Sequence, residues 1–472
     1  MRIAFILSIF LLRALTAPTQ EPPAQIHKSA QTPASTPSPT SEKDLAPSIL
    51  SKCAACHQPG EAAPFSLLSW QDVAKRASFI KDVIQRHYMP PWHADRQYSH
   101  FANERSLSEA EIALITQWID NGAPQGKPVP ILPPGVSQAP PGASAASHVP
   151  VVPIVPIPGT IYHRKPDLVL TATDSFRLAG DNTERFVVFK IPFELKDSAS
   201  VEAIEFICSN KRLIHHANYA VQAVPDPHID IKNTASFVNL TDDDRSKVDQ
   251  YMPYRKIMAY YGGWIPGTSY EYFPKEFGWV MPRRGVILMT VHFAPSATDE
   301  GSICGVNLFF KRTPVTRPMK IISFGSGGIG EQQIEPIFYI KANTVQTFRL
   351  EVTNPSADQS LLYVWPHMHL LGKEYKAFIT APSGDTIRLV HIPEWDFRWQ
   401  EIYRFKHPIR VPKGSVIHLE CTYDNTKDNP SNPNSPPKNV FSMGDMRTKD
   451  EMMTLMMGFL PYKQGDENID LE

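Results

Sequence analysis

The sequence lacks a long apolar segment beyond its N-terminus. No stretch after residue 17 approaches the roughly 18 consecutive apolar residues that indicate a transmembrane helix. The chain also lacks an excess of charge, since 47 basic and 48 acidic residues give a net charge of −1. This balance disfavours nucleic acid or an anionic membrane surface as a partner. We expect a globular protein with no membrane span other than an uncleaved signal anchor.

Cysteine is scarce, with five residues in 472, and two of them lie in Cys53-Ala-Ala-Cys56-His57. Cysteines at this spacing form thioethers to the two vinyl groups of a haem, and the histidine that follows ligates the iron. A zinc site would need a second Cys-x-x-Cys, which the sequence does not contain, and no thioredoxin-like βαβ pattern surrounds the pair. We therefore predict one covalently attached c-type haem, bound by Cys53, Cys56 and His57.

The N-terminus has the pattern of a secretory signal peptide over residues 1–17. Arg2 supplies the positive charge, Ile3 to Leu12 form a short apolar run, and Ala17 provides a small residue for cleavage. Pro18 makes cleavage there awkward, which leaves an uncleaved anchor as the alternative. Export predicts a periplasmic or extracellular protein.

Proline is abundant, with 45 residues, and many of them fall in two stretches. Residues 18–44 are rich in Pro, Ser, Thr and Ala, and too few large apolar side chains are present to favour folding. Residues 127–165 have a similar bias with Pro-Pro-Gly motifs, which predicts an extended, semi-stiff linker. These linkers separate the domains.

Residues 45–126 are predicted to form a small all-α domain around the haem. Apolar residues recur with helical spacing over Gln71–His87, and prolines stop that helix at Tyr88-Met89-Pro90-Pro91-Trp92. Met89 is the predicted sixth iron ligand, with His87, His93 and His100 as competitors. A capping box at Ser108–Glu111 opens a further helix. This segment resembles single-haem cytochrome c domains in which Met-Pro-Pro-Trp recurs.

After Asp167 the pattern changes to short β-like runs separated by turn residues, which predicts two antiparallel β-sandwiches, residues 166–325 and 326–472. A glycine-rich break at Gly325–Gly330 is the predicted hinge, although a loop within one sandwich would have the same composition. The predicted strands are Leu168–Thr171, Arg185–Ile191, Val201–Cys208, Ala217–Ala223, Val286–Ala294, Ser302–Lys311, Phe338–Ile340, Val345–Val352, Leu361–Trp365, Tyr375–Thr380, Thr386–His391, Gln400–Phe405, Val416–Tyr423 and Met453–Phe459.

Histidines in this β region are candidate metal ligands. His367 and His369, two apart, would lie on one face of a strand and form a chelate for copper or zinc. His215 and His216 are adjacent, so on a regular strand they point to opposite faces and share a metal only at a strand end or bulge. His292 alone has the ordinary explanation of a core histidine.

Together these motifs resemble the copper type II, ascorbate-dependent monooxygenases, which include peptidylglycine α-hydroxylating and dopamine β-monooxygenases. The order is His215-His216, Val-His292-Phe, His367-x-His369-x-x-Gly-Lys, Cys421-Thr-Tyr-Asp-Asn425 and Asp-Glu-Met452, and the resemblance covers roughly residues 165–460. It implies that His215, His216 and His292 bind an electron-supplying copper. It also implies that His367, His369 and Met452 bind the copper that activates dioxygen, with Met453, Met456 and Met457 as alternative sulfurs, and that solvent separates the two coppers.

The sequence departs from the peptide-hydroxylating members at two positions. Trp365 stands where they have arginine and Met456 where they have tyrosine, so the clamp for a peptide carboxylate is missing. A small apolar or aromatic substrate fits better than a peptidyl-glycine. Met453 replaces the usual partner of Cys421, and a disulfide between Cys208 and Cys304 is left open.

We therefore expect an exported haem–copper monooxygenase that uses dioxygen to hydroxylate a C–H bond. The cytochrome c domain would pass electrons to copper from an external donor, either ascorbate or a redox protein. The alternative is a non-catalytic copper-binding or electron-transfer protein on the same scaffold. A hydrolytic zinc sandwich is disfavoured because no carboxylate accompanies His367 and His369 and because hydrolysis has no use for a haem.

Overall fold

The structure, a computed structural model, describes six segments of the chain. They are residues 44–125, 162–241, 246–268, 270–354, 357–441 and 450–471. The predicted signal peptide and most of both predicted linkers lie outside these segments. The described residues belong to one compact unit, Pro39–Glu472. Within them, no helix is both long enough and apolar enough to cross a membrane.

The helices lie mainly in the N-terminal segment. They are α1 (Ala46–Lys52), α2 (Trp70–Ala74), α3 (Ala77–Gln85), α4 (Glu109–Asp120) and α5 (Ser246–Asp249). The predicted capping box is present at the start of α4, where the side chains of Ser108 and Glu111 bond reciprocally to backbone N–H groups. The single helix predicted over Gln71–His87 is wrong. The chain breaks at Arg76, whose N–H bonds to the carbonyl of Val73 and so closes the tighter turn that ends α2.

The helical region, residues 44–125, has a core of its own. Its apolar faces meet around Trp118, which is fully buried, and Cys53 and Met89 pack against the same cluster. Burial of a large apolar side chain contributes about 1.5–3 kcal/mol, so a core of this size can hold the short helices together.

The first β region extends from Leu168 to Pro318. Its main sheets have the orders β1-β12-β4-β9-β13, with β8 also on β4, and β6-β3-β10-β5-β7, while β2 pairs with β11. The strands are β1 (Leu168–Thr171), β2 (Phe176–Leu178), β3 (Arg185–Glu194), β4 (Ala199–Cys208), β5 (Ile214–Ala223), β6 (Phe237–Asn239), β7 (Ile257–Trp264), β8 (Tyr270–Tyr272), β9 (Phe277–Met281), β10 (Arg284–Phe293), β11 (Glu300–Ser302), β12 (Cys304–Phe310) and β13 (Arg317–Pro318).

The second β region extends from Lys320 to Pro461. Its main sheets have the orders β15-β14-β24-β18-β21 and β17-β22-β19-β20, and β16 pairs with β23. The strands are β14 (Lys320–Gly325), β15 (Ile329–Gly330), β16 (Tyr339–Ile340), β17 (Val345–Thr353), β18 (Gln359–His367), β19 (Gly372–Thr380), β20 (Thr386–Ile392), β21 (Tyr403–Val411), β22 (Val416–Asp424), β23 (Val440–Phe441) and β24 (Thr454–Pro461).

The protein is therefore mainly β with several sheets, as the sequence predicts. The core of the first β region also takes in side chains of the second, including Trp365 and Tyr363. Arg317 of β13 makes a buried two-pronged ion pair with Asp466 that further joins the two regions. The helical region packs on β21 through Phe101, which lies 4.9 Å from the ring of Tyr403. These contacts bring the candidate ligands of all three regions close together.

Candidate metal and haem sites

The first histidine site comprises His215, His216 and His292 and lies where β5 and β10 pair. His292 pairs with His216, but the next residue of β10, Phe293, pairs with Ile214. His215 is therefore the extra residue of a β-bulge, which is the irregularity that lets adjacent histidines face one site. The imidazole centroids of His215 and His216 lie 4.8 Å and 5.0 Å from that of His292.

The ring nitrogens of the first histidine site are arranged as ligands. Nδ1 is buried and has no hydrogen-bond partner in the described residues for His215, His216 and His292 alike. Buried polar atoms are nearly always paired, so three orphaned nitrogens in one cluster indicate a missing partner. Burial, with the neighbouring His292, lowers the pKa of His215 to about 4 and that of His216 well below its ordinary value. Neutral imidazoles of this kind are ready to bind a cation.

Glu184 is part of this site, and sequence reasoning missed it. One carboxylate oxygen lies 3.1 Å from Nε2 of His292 and the other 3.8 Å from Nδ1 of His215. The first contact leaves Nδ1 of His292 as the ligand atom, in the way that a carboxylate orients a metal-binding histidine. Together with His215 and His292, the carboxylate forms a cluster that is able to hold a metal ion. Glu184 belongs to no motif, and only the fold places it here.

The second histidine site comprises His367 and His369 at the end of β18. The strand stops at His367, so the prediction that both residues lie on one strand is wrong. The side chains still alternate, because Met368 between them is completely buried in the core. The imidazole centroids are 5.0 Å apart, and the predicted pair is therefore brought together.

Hydrogen bonds orient both rings of the second histidine site. Nδ1 of His367 lies 2.5 Å from Oε1 of Gln400, and Nδ1 of His369 lies 2.8 Å from the carbonyl oxygen of Asp450. Acceptors at both positions make Nδ1 the protonated nitrogen and Nε2 the ligand atom. Burial, with a smaller effect of His369, lowers the pKa of His367 to about 3, so this ring is neutral at neutral pH.

Met452 lies near the second histidine site by register. His367 pairs with Thr454, and counting on beyond this last pair sets Met452 opposite His369. The buried carboxylate of Glu451 accepts the N–H groups of His369 and Leu371, at 2.9 Å and 2.7 Å, and so fixes this segment against the histidines. Burial raises the pKa of Glu451 to about 8.

The other candidate sulfurs have ordinary packing roles. Met453 and Met457 are buried in the core of the second β region, and Met456 packs against the core of the first. Met452 belongs to neither core cluster and is only partly buried. It is therefore the methionine whose sulfur is most readily explained as a ligand.

Phe397 lies between the two histidine sites. Its ring centroid is 6.1 Å from those of both His216 and His292, and 5.6 Å from that of His369. The two sites therefore flank one aromatic ring. His367 and His369 also contribute to the lowered pKa of His216, although burial is the largest cause.

The predicted haem-binding residues lie at the end of α1. The N–H groups of Cys56 and His57 both bond to the carbonyl of Cys53, at 3.2 Å and 3.0 Å, which folds the motif into a compact turn. Nδ1 of His57 lies 3.1 Å from the carbonyl of Phe65, which makes Nε2 the ligand atom. Burial raises the pKa of Cys53 to about 12 and that of Cys56 to about 11. A redox dithiol needs a low thiol pKa, so these values disfavour that alternative.

Met89 and its competitors differ in their surroundings. Met89 packs with Cys53 against the helical core. His87 and His100 are exposed and lie 3.8 Å and 3.7 Å from glutamate oxygens. His93 is partly buried and interacts with Asp396 of the second β region. Among these four residues, only Met89 joins the cluster that contains Cys53.

A cavity of about 290 Å³ connects the three regions. Its wall includes His216 of the first histidine site and Gln400, the partner of His367. Trp365 also lines it, stacked on Tyr261 with ring centroids 5.4 Å apart, and its indole N–H is buried without a partner in the described residues. The cavity therefore reaches the first site directly and the second through Gln400, with aromatic side chains in its wall.

The remaining cysteines are not bonded to one another. Cys208 and Cys304 pair across β4 and β12, are buried, and have sulfurs 3.5 Å apart as free thiols. Cys421 is a separate buried thiol in the core of the second β region.

No family model and no curated protein matches the chain. Among solved structures, the major capsid protein P2 from bacteriophage PM2 is 9% identical, with 63% of this chain and 98% of that chain covered and a TM-score of 0.23. The infectious bursal virus protein of derived T=1 particles is 8% identical, with 65% and 82% covered and a TM-score of 0.15. Scores this low assign neither a fold family nor a function.

Proposed function

We propose that this protein is an exported haem–copper monooxygenase built from a small all-α cytochrome c domain and two antiparallel β-sandwiches. One copper would be held by His215, His216 and His292, and the other by His367, His369 and Met452. The observation that carries the proposal is the pair of histidine sites on either side of Phe397. Such a pair provides for two metal ions within one protein interior.

The donor types fit copper. An all-imidazole site accommodates both Cu(I) and Cu(II) and suits electron transfer, whereas a thioether favours Cu(I), the state that reacts with dioxygen. The haem, bound by Cys53, Cys56, His57 and Met89, would supply single electrons. The overall reaction balances as R–H with O₂, two electrons and two protons giving R–OH and H₂O, and ascorbate or a redox protein supplies the electrons.

The substrate in this proposal is small and apolar or aromatic. Trp365, Tyr219 and Trp264 line the cavity, and Trp365 stands where a peptide hydroxylase would have its arginine. Aromatic walls favour an aromatic or apolar molecule through stacking and burial. The unpartnered indole N–H of Trp365 would accept a substrate with a hydrogen-bond acceptor.

Metal analysis of the full chain tests the proposal. Protein matured with haem and loaded with copper is expected to hold about two copper ions and one haem. The reduced protein, exposed to oxygen, should show reoxidation of both haem and copper. One copper or none per chain would contradict the oxygenase and leave the electron-transfer protein, and a preference for zinc would favour a hydrolase. A haem that stays reduced while copper turns over would exclude the haem as internal donor.

A further inference from the structure

The loop after β7 contacts the haem-binding motif. Gly267 has φ +91, and a Cβ atom built on it would lie 2.8 Å from Sγ of Cys56. A side chain here would both strain the backbone and collide with the sulfur. Glycine is therefore required for this approach of Cys56 to the first β region.

The loop itself is held tightly. The N–H and the hydroxyl of Thr268 both donate to the carbonyl of Ile265, at 3.0 Å and 2.7 Å, and the indole N–H of Trp264 donates to the carbonyl of Thr268 at 3.0 Å. These bonds close a compact turn around Gly267. The position of the loop against Cys56 is thus set by the end of β7.

β7 leads directly to the first histidine site. Trp264, the last residue of β7, pairs with Ala217 of β5, which follows His216 in the chain. From the sulfur of Cys56 the path consists of one van der Waals contact, the backbone from Gly267 to Trp264, and one strand pairing. Covalent and hydrogen-bonded steps make up almost all of it.

An ion pair fixes the same contact from the other side. Nζ of Lys211 lies 2.8 Å from Oε1 of Glu61, and both side chains are nearly buried. Lys211 begins the short 3₁₀ turn that leads into β5 and lies 5.8 Å from the ring centre of Trp264. The Lys211–Glu61 pair therefore holds the haem-binding segment against the strand that carries His215 and His216.

A competing path leads to the second histidine site. Arg105 of the helical region pairs with Glu401, next to Gln400, which bonds to His367. This path begins at a guanidinium group rather than at a haem-attachment sulfur. The path through Gly267 begins at the sulfur itself, and for this reason we favour it.

We infer that electrons pass from the haem to the first histidine site through the contact of Cys56 with Gly267, and not to the second site through Glu401. The inference rests on the proposed function. In each step Fe(II) becomes Fe(III) and Cu(II) at the first site becomes Cu(I). An external one-electron donor, a redox protein or ascorbate, returns the haem to Fe(II). Gly267, Lys211 and Glu61 are positioning residues in this transfer.

The test measures electron transfer alone, in the full-length protein with haem and copper bound and without oxygen. A flash from a photoreductant reduces the haem, and its absorbance reports reoxidation by Cu(II). Gly267→Ala is expected to slow reoxidation by about tenfold to a hundredfold, because small displacements of reacting groups have effects of this size. Glu61→Gln should slow it in the same direction, and this variant leaves the backbone at Gly267 unstrained.

Two further variants complete the test. Glu401→Gln interrupts the competing path, and Lys81→Met removes an ion pair with Asp120 elsewhere on the helical region. Both should reoxidise the haem at the wild-type rate. Unchanged rates in Gly267→Ala and Glu61→Gln, or slowing confined to Glu401→Gln, would overturn the inference. Haem and copper contents are measured first, so that a failure of the proposed function, with a metal missing from the wild type, is distinguished from a failure of the path.

Discussion

The two histidine sites use opposite ring nitrogens. At the first site Nδ1 of all three histidines is buried and unpartnered among the described residues, and Glu184 contacts Nε2 of His292. At the second site the acceptors Gln400 and Asp450 take up Nδ1, so that Nε2 is the ligand atom. The ligand nitrogen is therefore decided by the group that holds the opposite side of the ring.

The backbone explains why the two sites differ. At the first site a β-bulge turns two adjacent histidines into one space, where the short reach of Nδ1 suits crowded rings. At the second site the histidines lie two residues apart at a strand end, and the more distant Nε2 atoms converge from there. One site is built by an irregularity within a ladder and the other by its termination.

The largest effect is expected from removal of a ligand on one side of the comparison. His216→Ala should remove the copper of the first site and leave that of the second, and His369→Ala should do the reverse. Copper content per chain then falls from about two to about one in either variant, because a single site has lost a principal ligand. Elemental analysis with Cu(II) electron paramagnetic resonance measures this. Loss of both metals in either variant would show that the sites are not independent.

Removal of the groups that orient the rings should have a smaller effect. Glu184→Leu is expected to weaken copper binding at the first site, and Gln400→Leu at the second, by about 10–100-fold each. Glu184→Gln retains an acceptor for His292 and is the matched control, with a smaller loss. Competition titrations with a copper chelator measure the affinities. The assignment of nitrogens is wrong if neither leucine variant changes the affinity of its own site.

The sulfur should distinguish the two sites by oxidation state. Met452→Leu is expected to weaken Cu(I) binding at the second site by about tenfold, equivalent to about 1.4 kcal/mol, with little change in Cu(II) binding. Met456→Leu, which alters an alternative sulfur, should have no such effect. Cu(I) competition assays under anaerobic conditions provide the measurement. A Cu(I) defect in Met456→Leu alone would transfer the ligand role to that residue.

The smallest effect is expected from the ring between the sites. Phe397→Leu should lower the free energy of unfolding by about 1 kcal/mol, because the smaller side chain fills the space less well. The Cu(II) spectra of both sites should also shift, since Phe397 contacts histidines of each. Phe441→Leu, at an exposed position, is the control. Denaturant unfolding and paramagnetic resonance measure the two effects, and a shift at one site only would mean that Phe397 does not bridge them.

Much of the fold was predictable because alternation of apolar and polar residues is a local signal. The predicted strand at Leu168–Thr171 is reproduced, and Val345–Val352 differs by one residue. The prediction failed at the ends of elements. The strand carrying His215 begins earlier than predicted, at Ile214, and the helix predicted over Gln71–His87 breaks at Arg76. Such ends depend on hydrogen bonds that the pattern of apolar residues does not encode.

The sequence by itself determined the candidate ligands, because residue type and close spacing define a chelate: Cys53, Cys56 and His57, the two histidine pairs, His292 and Met452. Only the tertiary structure decided what lies beside them. Glu184, Gln400 and Phe397 belong to no motif and reach the histidines from other segments. Gly267 likewise meets Cys56 across more than two hundred residues of chain. Contacts between distant segments arise from the packing of sheets, which no local pattern specifies.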